Sequence, residues 1–178
     1  MVYYNVIKPK NFNLKKGCKL EYNIENRLNS LNICLPEPSL PAANYVSFTI
    51  SNSFIFVSGQ ISQNAQGLIL GKIGKDLSLD DGYNAARQCG ISLLSQLKKA
   101  CDGDLNKITK VLKLTGFVNS TDNFVDHPKV INGASDLMVE VFGKRGSHSR
   151  AAVGCSSLPM GVAVEVEGIF QINQNENF

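Results

Sequence analysis

The chain has 178 residues, of which 43% are apolar, and 18 Lys and Arg against 15 Asp and Glu leave a formal charge of +3. That is enough apolar material for one packed domain with an appended segment. The basic residues are too dispersed for a nucleic-acid surface, which needs a concentrated basic face, so nucleic acid is not an expected partner.

Five cysteines (Cys18, Cys34, Cys89, Cys101, Cys155) form no C-x-x-C pair. An odd count without that pairing argues against a disulfide framework and against zinc, and free thiols fit a reducing compartment. No apolar run approaches membrane-spanning length, and the first residues lack the apolar centre of a signal peptide. The expectation is a soluble, cytoplasmic protein with no membrane contact.

Residues 1 to about 19 are rich in Lys, Asn and Tyr without a period, the composition of a loosely docked arm. Leu20, Ile24, Leu28 and Leu31 then fall at helical spacing. Pro36, Pro38 and Pro41 follow as an extended connector. Residues 1–40 are therefore expected to be an N-terminal extension with a short helix, and 41–178 the domain proper.

Tyr45–Ile50 and Phe54–Ser58 read as strands, with a tight turn at Asn52-Ser53. The Gly-rich stretch from Gly59 to Gly74 reads as a loop with edge strands. Ser78 with Asp81 has the form of a capping box, which predicts a helix to about Cys101. Its buried stripe is Ala86, Cys89, Leu93, Leu97 and Ala100.

Ile108–Val118 reads as a long strand. Asp126-His127-Pro128 opens a second helix, with Val130, Ala134, Leu137 and Val141 inward and Gly143 as its end. Ala151–Ser156 and Val162–Ile172 complete the set as strands. The order strand, strand, helix, strand, helix, strand, strand is an α+β layer: a mixed or antiparallel sheet with two helices on one face.

The chemistry concentrates near the C-terminus. Arg150 opens a run of small residues, and Glu165 follows in an alternating strand. A turn near Leu158-Pro159-Met160-Gly161 is expected to fold these two strands into a hairpin, with the two side chains neighbours or near-neighbours across the ladder. The pair is then either a plain cross-strand salt bridge or a grip for a small carboxylate, since arginine's planar fork matches a carboxylate in two places.

Val162, Val164 and Val166 mark the core face of the last strand, so Glu165 and Glu167 face solvent or an interface. Ser58-Gly59-Gln60 is either an ordinary strand end or a ligand contact, and Tyr45 is a core aromatic or a cleft wall. Asn132-Gly133 sits in a helical pattern that favours neither residue, so a packing contact or a site amide must offset the cost. His148 shares strand parity with Arg150 and can reach the same pocket. Two histidines without ligand spacing give no metal site. Cys155 is either inert core or a nucleophile.

These residues resemble the RidA/YjgF family, also called the endoribonuclease L-PSP family. The resemblance runs from about Tyr45 to Ile172. It is carried in order by Tyr45, Ser58-Gly59-Gln60-Ile61, Ala86-Arg87-Gln88, Asn132, Arg150, Leu158-Pro159 and Val164-Glu165-Val166-Glu167. The terminal pattern of Arg, Leu-Pro and apolar-Glu-apolar-Glu is the specific part. H-S-R-A-A-V-G with V-I-N-G-A-S-D-L looks like a less characterised branch with an N-terminal extension.

The resemblance implies a chorismate-mutase-like fold and a homotrimeric barrel with clefts between subunits. It implies a cofactor-independent deaminase that hydrolyses reactive enamines and imines to 2-keto acids and ammonia. By position, Arg150 would bind the substrate carboxylate and Glu165 would orient water or supply a proton. Ser58, Gly59 and Asn132 would complete the cleft, and Tyr45 would close it from a neighbouring subunit. Typical members carry a cysteine two residues after the arginine, where this chain has Ala152. The other readings are a non-catalytic binder of keto or amino acids and, third, an endoribonuclease.

Overall fold

The computed structural model describes residues 23–38 and 44–173. Helix α1 (Ile24–Ser30) begins at Asn23, whose side chain accepts from the Asn26 amide. Leu20, the first residue of the expected helix, lies outside the described residues. A helix this short does not persist alone, and α1 is held by what it buries. Ile24 and Leu28 enter the core at 0% and 3% exposure. Further along, Arg27 Nε donates to the Glu140 carbonyl at 2.7 Å, Lys98 pairs with Glu25 at 3.0 Å, and the Ser95 hydroxyl donates to the Pro36 carbonyl.

Strands β1 (Phe48–Ser51) and β2 (Phe54–Ile61) form a hairpin over Asn52, whose φ of 51° provides the left-handed turn. Tyr45 and Val46 precede β1 and stand exposed. Two-residue strands β3 (Gln63–Asn64) and β4 (Gly67–Leu68) make a small separate hairpin. Helix α2 (Leu79–Ala100) starts at the expected capping box, with the Ser78 side chain and the Asp81 carboxylate each bonding the other's backbone amide.

Strand β5 (Ile108–Asn119) leads to α3 (His127–Phe142), then β6 (Ser149–Cys155) and β7 (Val164–Ile172). The five-stranded sheet has the order β1-β2-β7-β5-β6. Every neighbouring pair is antiparallel except β5 and β6, which run parallel.

The hairpin expected between the Arg150 and Glu165 strands does not form. Helix α3 carries the chain back so that β6 adds to β5 in parallel, as a strand–helix–strand unit does. The 156–163 connection then passes to the far side of β5, where β7 pairs antiparallel. That connection is pinned rather than tightly turned: Val162 and Ala163 are fully buried, and the Asn119 amide side chain donates to the Val162 carbonyl at 3.1 Å.

Alternation sorts the sheet into two faces. Ile55, Val57, Leu114, Val118, Val164 and Val166 point toward α2 and α3 and are at most 4% exposed. Phe54, Phe56, Phe117, Val153, Glu165 and Glu167 lie on the opposite face, which no element of the chain covers among the described residues. No helix among the described residues is long and apolar enough to cross a membrane.

Candidate functional site

Arg150 sits on the edge strand β6 opposite Leu114 of β5. Partners in a ladder share a face, and Leu114 faces the helices, so the arginine reaches toward α3. There Nη1 donates to Asn132 Oδ1 at 2.8 Å and to Ser135 Oγ at 3.0 Å. Asn132 and Ser135 are three apart on α3 and therefore neighbours on its surface. Gly133 between them explains the unfavoured Asn-Gly pair. A Cβ there would run into the Tyr83 carbonyl of α2, so glycine lets the two helices approach while Asn132 turns to the strand.

The Ser135 hydroxyl also meets His148 Nε2 at 3.1 Å, and His148 Nδ1 lies 2.6 Å from the Gly146 carbonyl. A carbonyl only accepts, so Nδ1 carries the ring hydrogen and Nε2 accepts from Ser135. Burial holds the imidazole below its ordinary pKa. The Gly146 carbonyl opposes that shift, while the charges of Arg150 and Lys110 add to it. The result is a continuous chain: Asn132 and Ser135 orient the guanidinium, and His148 orients Ser135.

Glu165 stands elsewhere. It pairs with Ile61 of β2 and Phe117 of β5 on the uncovered face of the sheet. Gly59 lies against it, in the register shift between Val57 and Gln60, and a Cβ at Gly59 would strike the Glu165 carboxylate. Burial first, and the Glu167 charge second, push the Glu165 carboxyl above the usual carboxylate range. Ser58, next in the same bulge, donates its hydroxyl to the Val46 carbonyl at 2.7 Å, which tethers the segment after Tyr45 to β2. Tyr45 itself is 52% exposed.

The residues singled out in the sequence thus form two groups. Arg150 and Asn132 meet on the helix side of the sheet edge, and Glu165, Gly59 and Ser58 gather on the other face, while Tyr45 stands exposed one residue before the Val46 carbonyl that Ser58 holds. His148 does reach the arginine's surroundings. Ser135 escaped the sequence reading, although its three-residue spacing from Asn132 was the available signal.

A separate cleft of about 260 Å³ lies where β5 and β6 end, lined by Ser120, Phe124, His127 and Cys155 among others. In it His127 Nε2 is 3.0 Å from Ser120 Oγ and the Phe124 ring meets the imidazole edge-on. No cluster of His, Cys, Asp and Glu among the described residues is arranged to hold a metal ion.

The model of a family described as YjgF/chorismate mutase-like, putative endoribonuclease, matches residues 25–169. Protein TCP17 of Trypanosoma cruzi is 43% identical over 148 residues, covering 82% of this chain and 92% of that protein. Atu1372 of Agrobacterium tumefaciens, a crystal structure of unknown function, is 44% identical with a TM-score of 0.79, covering 84% of this chain and 92% of its own. A putative endoribonuclease from Shewanella oneidensis is 34% identical with a TM-score of 0.80, covering 84% and 99%. With the family model spanning most of the described residues and the fold shared over nearly the whole of these relatives, the chain belongs to the RidA/YjgF family and carries its chorismate-mutase-like fold.

Proposed function

We propose that the chain is a cofactor-independent deaminase that hydrolyses small 2-imino and enamino acids to 2-keto acids and ammonia. The observation that supports it most directly is the state of Arg150. Among the described residues it has no acidic partner, and two neutral acceptors orient it instead. A plain cross-strand salt bridge would have neutralised it. An oriented guanidinium whose Nε and Nη2 edge has no partner among the described residues is suited to a ligand carboxylate.

An imine carbon is already electrophilic. Holding the carboxylate fixes that carbon, and one positioned water with one proton relay completes the hydrolysis. In this reading Glu165 orients the water, Asn132 and Ser58 border the cleft with the Gly59 backbone, and Tyr45 closes it. Arg150 and Glu165 leave opposite faces of one sheet, so the working site is shared between copies, consistent with a homotrimer. The raised pKa of Glu165 suits a carboxyl set beside a reacting water.

One observation favours a second reading. The carboxylate-binding half is already organised in a single chain while Glu165 stands apart from it, as a keto- or amino-acid binding protein without turnover would allow. Trapping of imines by semicarbazide separates the two. With an amino-acid oxidase generating imines, the wild-type protein should suppress semicarbazone formation. Arg150→Ala should lose that suppression, by about 100-fold or more in kcat/KM, while keeping its fold. Saturable binding of pyruvate with no suppression from any imine would establish the binding protein instead.

A further inference from the structure

We propose that Ser135 and His148 form a proton relay that serves the substrate held by Arg150. This rests on the deaminase reading and assigns the proton transfers within it. Three contacts carry the inference: Gly146 carbonyl to His148 Nδ1 at 2.6 Å, His148 Nε2 to Ser135 Oγ at 3.1 Å, and Ser135 Oγ to Arg150 Nη1 at 3.0 Å. Each has one consistent direction. The imidazole gives its Nδ1 hydrogen to the carbonyl, so its Nε2 lone pair faces the serine. The serine gives its hydrogen to Nε2, so an oxygen lone pair accepts from the guanidinium.

That is the arrangement of a hydroxyl poised beside a base, with a third group fixing the base and a cation beside the oxygen. As the serine proton moves to the imidazole, the guanidinium stabilises the charge left on oxygen. The supporting carbonyl is itself held firmly. Gly146 packs so close to the Met138 carbonyl of α3 that a Cβ would not fit. The relay therefore ends next to Nη1, one nitrogen away from the unpartnered edge that receives the carboxylate.

The steps balance. Water adds to the carbon of the protonated imine and the C=N π pair moves to nitrogen, which becomes the neutral amine of the carbinolamine. The water proton passes to Ser135 as Ser135 passes its own to His148 Nε2. The imidazolium returns that proton through Ser135 to the amine of the carbinolamine. The C–N bond then breaks, the hydroxyl becomes the carbonyl of the keto acid, and its proton leaves with ammonia as ammonium. Glu165 is left to orient the water.

The charged groups facing His148 among the described residues are Arg150 on β6 and Lys110 on β5, both cationic. Helix α3 presents the Ser135 hydroxyl and the turn before β6 presents the Gly146 carbonyl. With burial, these cations keep the ring neutral at pH 7. Activity should fall as acid protonates it, with the limb placed below the ordinary histidine value.

The test is the pH profile of imine hydrolysis between about pH 5 and 8 for the full chain, Ser135→Ala and His148→Gln. Glutamine keeps an acceptor for Ser135 yet takes no proton. The relay predicts a kcat loss of roughly 100-fold in each variant, KM within about twofold, an acid limb that disappears, and undiminished binding of pyruvate by calorimetry. Either variant decides the matter if the other does not fold. Full activity in His148→Gln, or an unchanged acid limb, would overturn the relay and leave the deaminase standing. A wild-type protein that hydrolyses no imine would remove both.

Discussion

At the scale of single residues, the two ends of the proposed site solve opposite electrostatic problems. Arg150 has an oriented charge and no counter-charge among the described residues, which is tolerable because the side chain is exposed and keeps its hydration until a ligand arrives. Glu165 is half-buried, has Glu167 beside it, and has no hydrogen-bond partner among the described residues of its own chain. Its pKa is raised in the folded chain, so the folded state holds its proton more tightly than the unfolded state does. Stability from this group is therefore present at low pH and is lost as pH rises through the interval between the ordinary and the raised value. Glu165→Gln should be the more stable protein at pH 7, by about 0.5 kcal/mol for a half-exposed charge. The advantage should vanish in acid, where the carboxyl is protonated. Thermal melts at neutral and acid pH check this. A wild type that melts higher at pH 7 would mean that the carboxylate has found a cation in the assembled protein.

Among the elements, α3 does the most to position the site, and it also shows what the sequence could and could not convey. Its start at His127-Pro128, its inward stripe and its end at Gly143 follow from local rules and were readable in advance, as was the capping box of α2. The Asn-Gly pair announced a cost, and the structure supplies the reason in the close approach to α2. Gly133→Ala should force α2 and α3 apart and destabilise the chain by roughly 2 kcal/mol, as overpacking of a tight contact does. Urea denaturation measures it, and a neutral substitution would mean that the helices separate freely. The pairing of β6 with β5 was not readable, because parallel pairing across a helix is a long-range choice that leaves no turn signal. A Leu-Pro-Met-Gly turn between two apolar runs looks like a hairpin, and only the buried Val162-Ala163 link and its hold on Asn119 show otherwise. Ser135 stayed hidden for a different reason: its three-residue spacing from Asn132 acquires a meaning only once Arg150 is placed against α3.

For the whole molecule, the uncovered face of the sheet joins the fold to the function. It exposes Phe54 at 37%, Phe56 at 42% and Val153 at 45%, and the same face carries Glu165. Large apolar side chains gathered on one open sheet face mark an association surface. Arg150 is on the outermost strand, where a neighbouring copy can approach it. If copies associate through this face, the glutamate of one chain completes the arginine site of another, and neither residue needs its own chain's partner. Closed symmetry makes every such junction equivalent. Complementation tests this directly. Arg150→Ala and Glu165→Gln chains should each be inactive alone. Refolded together in equal amounts, they place an intact arginine opposite an intact glutamate at roughly a quarter of the junctions in a random assembly, and about that fraction of wild-type turnover should return. Mixing that restores nothing, from assemblies shown to contain both chains, would mean that one chain wraps its own arginine around the sheet edge to its own glutamate. The deaminase reading would survive that result, and the shared site would not.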